Sequence, residues 1–159
     1  MNSKSNSSVT EVIQKLESYC SYQERCHTEV QEKLRGFDIS TLDKERVIVH
    51  LIDTNFLNEE RFASLFTISK FHQKKWGKIR IKNELKARRI SDFLISKSLK
   101  EISMEEYATT FDCLSEKHWE GLSERDSSKK RKKFCDFLLR KGWESNSVYE
   151  KLKQLEKPI

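Results

Sequence analysis

Apolar residues along this chain recur every three or four positions, which is the spacing of one face of an α-helix. Ile81 and Leu85 are four residues apart, Ile95 and Leu99 repeat that spacing, and Ile102 follows three residues later. The 159 residues include only 4 Gly and 1 Pro, so few residues are available for the tight turns of a sandwich or barrel. The pattern therefore predicts an all-α protein.

The apolar pattern also repeats along the chain. Six apolar positions in the middle of the sequence reappear 53 residues later, and five of them have counterparts 51 residues earlier. The middle set is Ile81, Leu85, Ile90, Ile95, Leu99 and Ile102, and the later set is Phe134, Leu138, Trp143, Val148, Leu152 and Leu155. The earlier set is Val30, Leu34, Ile39, Ile48 and Leu51. Such self-similarity is typical of helical arrays and predicts three modules.

Local signals place the ends of the helices within these modules. Asn58 and Ser103 are capping residues followed by acidic residues, which suit the positive end of a helix dipole, and Ser91 and Ser145 are expected to cap third helices. Gly36 and Gly142 stand where second helices should end. The predicted helices cover about 9–23, 27–36, 42–54, 59–73, 76–88, 91–102, 103–118, 128–141 and 145–156. The predicted division is a disordered N-terminal tail at 1–8 and three-helix repeats at 9–56, 57–102 and 103–156.

Positive charge is concentrated in two segments of the chain. The net charge is +6, but 12 Lys or Arg stand against 3 acids over residues 61–102, and 8 stand against 2 over residues 125–141. The remainder is therefore net negative. Such a concentration of positive charge is expected of a surface that binds a polyanion or an acidic partner. It is also expected of helix faces that simply point to solvent. Composition leaves both interpretations open.

The basic residues of the second and third modules, together with one tryptophan, form the candidate binding surface, which we call the candidate basic face. Its members are Arg61, Lys70, Lys74, Lys75, Trp76, Lys78, Arg80, Lys82, Lys86, Arg88, Arg89, Lys129, Lys130, Arg131, Lys132 and Lys133. Lys78 and Lys82 are four residues apart and share a helix face, and Lys75, Lys86 and Arg89 are expected to continue that row. Five cations at the start of a helix, as in residues 129–133, oppose the dipole, which favours a binding role.

The three tryptophans could stack on unpaired bases, because aromatic rings among cations are how single strands are held. Trp143 aligns with Ile90 in the repeat and is therefore expected in the core, whereas for Trp76 stacking and packing stay open. Trp119 favours neither interpretation.

The residue pattern does not indicate a metal site, a disulfide, an active site or a membrane segment. Cys20, Cys26 and His27 lack the spacing of a structural zinc site, and no CxxC pair occurs, so neither a metal, a cofactor nor a disulfide is expected. No activated nucleophile or Gly-rich phosphate loop is apparent, which predicts that the chain is not an enzyme. Without a long apolar run or a signal-like start, the expected location is cytoplasmic, away from membranes.

Four strings in order along the chain resemble the RecX family of regulatory proteins. They are RCHTEVQEKL at 25–34, FLNEERFA at 56–63, WGKIRIKNEL at 76–85 and LLRKGW at 138–143. The resemblance extends from about Val9 to Leu155. The chain departs from the family pattern at Arg89, where the family usually has Gly at a helix end, and at Cys26, which replaces the usual Ser. Arg89 in a left-handed cap would cost about 1 kcal/mol, so the end of that helix could be frayed or closed differently.

The resemblance implies an elongated, curved array of three tandem three-helix repeats that docks in the groove of a RecA filament on single-stranded DNA. It implies a non-enzymatic negative regulator of RecA in DNA repair, recombination and the SOS response, which lowers recombinase, ATPase and co-protease activities. The expected partners are the RecA filament and, more weakly, single-stranded or duplex DNA, and a monomer is expected. The alternative is a small helical nucleic-acid-binding module without a RecA partner, which the same basic segment would serve.

Overall fold

The computed structural model describes residues 8–157, and over these residues the chain forms nine α-helices and no β-strand. They are α1 (Val9–Tyr22), α2 (His27–Leu34), α3 (Thr41–Asp53), α4 (Glu59–Lys74), α5 (Lys78–Ala87), α6 (Asp92–Leu99), α7 (Met104–Gly121), α8 (Ser127–Lys141) and α9 (Ser145–Glu156). The predicted all-α fold is confirmed. Residues 1–7 of the predicted tail lie outside the described residues, and Ser8 caps α1 by accepting from the Glu11 N–H.

Three of the four predicted helix caps are correct, and the fourth is displaced by one residue. The Asn58 and Ser103 side chains accept from backbone N–H groups at 2.9 and 3.0 Å, and Ser91 caps α6 in the same way. The predicted Ser145 cap is wrong, because Ser145 is the first residue of α9 and Glu144 occupies the cap position. The Glu144 carboxylate is instead a hydrogen-bond acceptor for a tyrosine of α7.

The ends of the second helices differ between modules. Gly142 closes α8 with a left-handed φ of 95°, as predicted, and the Trp143 N–H donates to the Leu138 carbonyl. Arg89 closes α5 in the left-handed region as well, at φ 57°, with the Ile90 N–H donating to the Leu85 carbonyl. The end of α5 is therefore closed rather than frayed. Gly36 does not play this role, since it follows α2 without a left-handed conformation.

The helices fall into three consecutive triplets, α1–α3, α4–α6 and α7–α9. The most extensive helix contacts lie within triplets, namely α1 with α3, α4 with α6, and α8 with α9. The apolar repeat faces inward, because Ile81, Leu85, Phe134 and Leu138 are fully buried. These contacts support three tandem repeats, while the domain boundaries at residues 56 and 102 remain a proposal.

The core is divided unequally among the triplets. The first triplet has a core of its own, built around Val12, Leu16, Val47 and Leu51. The second and third triplets share one continuous core that runs from α4 to α9 and also takes in Cys26, next to α2. Two packed bodies therefore follow one another along the chain, and the second contains two repeats.

A direct backbone contact joins the second and third triplets where α5 begins and α8 ends; we call this contact the joint. The Gly77 N–H donates to the Lys141 carbonyl at 2.8 Å, and the Ile79 N–H donates to the Gly142 carbonyl at 3.1 Å. The first N–H groups of a helix have no partner within it, and α5 has no capping side chain. The carbonyls at the end of α8 supply that cap.

Aromatic side chains surround the joint on the core side. Trp143 is 1% exposed, its indole N–H donates to the Lys75 carbonyl at 3.0 Å, and its ring lies 4.6 Å from the ring of Tyr107. The Tyr107 hydroxyl accepts from the Lys78 N–H at 2.9 Å and donates to the Glu144 carboxylate at 2.8 Å. Burial raises the pKa of the Tyr107 phenol above its usual range, so it stays a donor. The predicted core position of Trp143 is confirmed.

Substituting Gly77→Ala should open the joint. A Cβ at this position would stand 2.3 Å from the Gly142 carbonyl oxygen, so the two backbones would have to separate. We expect a loss of roughly 1–3 kcal/mol in the free energy of unfolding, measured by urea denaturation. Gly121→Ala is the control, because a Cβ there meets nothing within 4 Å and should be neutral or stabilising. Equal effects of the two substitutions would contradict this role of the joint.

The Arg89→Gly substitution should stabilise the protein by about 1 kcal/mol, because an L side chain is strained in the left-handed conformation that Arg89 adopts. The measurement is the thermal unfolding midpoint. Arg35→Gly is the matched control, since Arg35 ends α2 in the right-handed region and glycine should lower stability there. If Arg89→Gly instead lowers the unfolding midpoint, the arginine side chain stabilises the folded protein by more than its left-handed backbone conformation destabilises it.

The Tyr107→Phe substitution should lower the free energy of unfolding by about 1–3 kcal/mol, because it leaves the Lys78 N–H and the Glu144 carboxylate without their partner. Urea denaturation measures the change. Tyr149→Phe, at an exposed tyrosine of α9, should leave stability unchanged. If both variants unfold like the parent chain, the hydroxyl does not hold the two triplets together.

Candidate functional site

The outward side of α5 carries the exposed part of the candidate basic face. Lys82 and Lys86 are exposed and four residues apart on this helix. Lys78 precedes them in the same row but is half-buried, with its ammonium 4.8 Å from the Tyr107 ring centroid. Lys75 and Arg89 lie beyond the ends of α5 in left-handed conformations, so they do not continue the helical row, although both are exposed.

A row of cations and aromatic rings crosses from α5 to α4. The Arg88 guanidinium lies 4.8 Å from the Phe66 ring centroid, and the Lys70 ammonium lies 5.5 Å from Phe66 and 5.2 Å from Trp76. The Arg80 guanidinium is 4.1 Å from the Trp76 ring. Such contacts hold cations in place over aromatic rings. Trp76 is half-buried in this row, and its stacking on a base stays a prediction.

Two arginines of the candidate basic face already have carboxylate partners. Arg61 pairs with Glu24 and also donates to the Asn55 carbonyl at 2.9 Å, which ties the second triplet to the first. Arg88 pairs with Glu84 at 3.0 Å. Their charges are partly compensated within the chain, unlike those of Lys82 and Lys86.

The basic run at 129–133 is compensated along most of its length. Arg131 pairs with Glu156, Lys132 with Asp136, and Lys133 with Glu124. The ammonium of Lys130 lies 4.0 Å from the Trp119 ring. Asp126 caps the helix by accepting from the Ser128 and Lys129 N–H groups, which offsets the unfavourable dipole. Exposed ion pairs are weak, but they reduce the field that this run presents to a partner.

Folding brings together a group of cations that the sequence did not indicate as a unit. Lys74 at the end of α4, Arg80 in the first turn of α5 and Lys141 at the end of α8 meet beside the joint, and we call them the joint cluster. The Lys141 ammonium donates to the Lys74 carbonyl at 2.8 Å. Burial, Arg80 and Lys74 all lower the pKa of Lys141. Lys141 lies more than 60 residues from its neighbours in sequence, and although it stands in the string LLRKGW, nothing in the sequence placed it beside Lys74 and Arg80.

Metal and thiol chemistry find no site among the described residues. Within residues 8–157, no group of three His, Cys, Asp or Glu side chains is placed to hold a metal ion. Cys20, Cys26 and Cys135 are buried free thiols, whereas Cys113 is an exposed one, and burial raises the pKa of each of the three buried thiols. In the same part of the chain, no helix is both long and apolar enough to span a membrane.

Known proteins with similar sequences are regulatory proteins. Residues 58–99 match the family described as RecX, second three-helix domain. Proteins named regulatory protein RecX from Bacillus thuringiensis (strain Al Hakam) and Bacillus cereus (strain AH187) are each 26% identical over 139 residues, which cover 87% of this chain and 52% of the relative. The chain thus spans about half the length of these relatives.

Solved structures share the arrangement of helices. A crystal structure of RecX from Lactobacillus salivarius has a TM-score of 0.76 at 24% identity and covers 92% of this chain and 97% of its own. A second crystal structure, of regulatory protein RecX, has a TM-score of 0.79 at 21% identity and covers 92% and 71%. At these identities the likeness shows the fold alone. The matched segment 58–99 contains α4, α5 and α6, and most residues of the candidate basic face lie in this segment or in its connections. The second triplet thus matches the model of a RecX domain, and the chain is similar over most of its length to proteins named regulatory protein RecX.

Proposed function

We propose that this chain is a negative regulator of RecA that acts by binding the RecA filament and carries out no catalysis of its own. The observation that carries the proposal is the exposed, uncompensated charge around α5. Glu84 is the acidic residue of α5, and its carboxylate forms an ion pair with Arg88. Lys82 and Lys86 therefore have no carboxylate partner among the described residues. A surface of this kind fits a polyanion or an acidic protein surface.

The proposed mode of action is occupation of the groove of the filament on single-stranded DNA. The chain would bridge neighbouring RecA protomers and fill space that a homologous duplex or a cleavable repressor requires. Recombinase, ATPase and co-protease activities of RecA would fall as a result. Once one triplet is bound, the other two are held close to the same filament at a high effective concentration, so several weak contacts together would give a higher affinity.

DNA is proposed as the weaker partner, and a monomer as the acting form. Each lysine that neutralises a phosphate releases a condensed counterion, so binding to DNA should weaken steeply with salt. Contacts between protein surfaces should be less sensitive to salt when they bury apolar area. Two salt concentrations therefore separate the two contributions.

The test is the rate of ATP hydrolysis by RecA on single-stranded DNA, measured with increasing amounts of this protein. We expect inhibition at stoichiometric amounts or below. The double variant Lys82→Gln, Lys86→Gln should need roughly tenfold more protein for half-inhibition, because two uncompensated contacts are lost. Lys117→Gln combined with Lys153→Gln removes the same charge from exposed lysines elsewhere and should inhibit like the parent chain.

Two results would contradict the proposal. An unchanged ATPase rate together with tight DNA binding would favour the alternative, a small helical nucleic-acid-binding module without a RecA partner. Equal loss of inhibition in both double variants would show that total charge, rather than the α5 surface, determines the effect.

A further inference from the structure

The joint cluster concentrates positive charge at one point of the molecular surface. Its three cations come from the ends of three different helices, and two of them donate to backbone carbonyls. The Lys141 ammonium donates to the Lys74 carbonyl at 2.8 Å, and Arg80 donates to the Arg140 carbonyl at 3.2 Å. Each of these cations therefore caps the end of a helix in the neighbouring triplet.

Helix capping does not use up the hydrogen-bonding capacity of these side chains. An ammonium group carries three N–H donors and a guanidinium carries five. Lys141 and Arg80 each use one in these contacts, and the Lys74 ammonium has no hydrogen-bond or carboxylate partner within residues 8–157. Several donors therefore remain available on adjacent side chains.

Within residues 8–157 no carboxylate forms an ion pair with a cation of the joint cluster. Burial lowers the pKa of Lys141, and Arg80 and Lys74 lower it further, with no carboxylate acting in the opposite direction. The cations therefore repel one another across the contact between the second and third triplets. A bound anion would remove that repulsion.

We propose that the joint cluster binds a phosphate group, and that the bound phosphate tightens the contact between the second and third triplets. A phosphate supplies several acceptor oxygens and the negative charge that the cluster lacks, and charge-assisted hydrogen bonds to it are the strong ones. The inference deepens the proposed function at the same basic face and rests on it for its biological meaning. The phosphate is either a free ion or part of a nucleic-acid backbone.

Arg140 and Lys75 extend the same patch. Both are exposed and adjoin the cluster in sequence, so a nucleic-acid backbone could continue from it toward the exposed lysines of α5. The half-buried Trp76 holds Arg80 in position, since the guanidinium lies 4.1 Å from the ring. The cluster is thus anchored on one side by an aromatic ring and on the other by the closed end of α8.

The test is thermal unfolding of the full chain in inorganic phosphate and in chloride at equal ionic strength. A ligand that binds only the folded state raises the unfolding midpoint. We expect phosphate to raise the midpoint and chloride to leave it unchanged. Lys74→Met should bind phosphate about tenfold more weakly, since one charge-assisted contact is lost.

The Lys74→Met variant also separates binding from folding. Within residues 8–157 the Lys74 ammonium has no hydrogen-bond or carboxylate partner, so its removal should leave stability in chloride equal to that of the parent chain or higher, because repulsion with Lys141 is relieved. Lys117→Met is the matched control on the exposed side of α7 and should respond to phosphate like the parent. No phosphate response in the parent chain, or an equal response in Lys74→Met, would overturn the site.

Binding of an oligothymidylate to the parent chain and to Lys74→Met, measured in addition, identifies the source of the phosphate. If Lys74→Met weakens oligonucleotide binding as well, the site takes a backbone phosphate; if it weakens only the response to inorganic phosphate, the site takes the free ion. Both results support an anion site at the joint. RecA is absent from these measurements, so the joint site and the proposed regulation of RecA can fail independently.

Discussion

The contact of α5 with α8 is the constraint on which the larger part of this structure depends. Gly77 at the start of α5 has no side chain to cap the helix, and the last carbonyls of α8 together with the Tyr107 hydroxyl accept from its first N–H groups. This requires the two backbones to approach so closely that neither Gly77 nor Gly142 has room for a Cβ. The close approach in turn places Trp143 under the end of α4 and merges two repeats into one core.

The second and third triplets share one core, whereas the first triplet has its own, so the triplets are packed together to different extents. Contacts between the first and second triplets include polar ones, such as Arg61 with Glu24 and His27 with Glu59, and the buried Cys26. Polar contacts at a surface contribute little to stability. The second and third triplets share buried aromatic packing, which contributes far more per residue.

One pair of equivalent positions carries a neutral hydrogen bond in the second triplet and an ion pair in the third. In the second triplet the Thr67 hydroxyl donates to Ser98 at 3.1 Å, and at the corresponding places in the third triplet Lys151 donates to Asp112 at 3.3 Å. Burial alone would lower the pKa of Lys151, but hydrogen bonds to Glu116 and Asp112 raise it above its usual value. A neutral pair and an ion pair can occupy equivalent sites because each satisfies its own polar groups.

The residue pattern by itself determined the helical class, the threefold repeat, most helix boundaries to within two residues and the burial of Trp143, because amphipathic spacing and capping are local properties. It also located the excess of positive charge. Apart from pairs one helical turn apart, such as Arg88 with Glu84, tertiary structure decided which cations have carboxylate partners. The run at 129–133 meets Glu124, Asp136 and Glu156, whereas Lys74 and Arg80 meet Lys141 from more than 60 residues away. Lys132 and Asp136 are one helical turn apart, whereas packing within the third triplet brings Arg131 to Glu156, and the docking of the third triplet on the second brings Lys141 to Lys74 and Arg80.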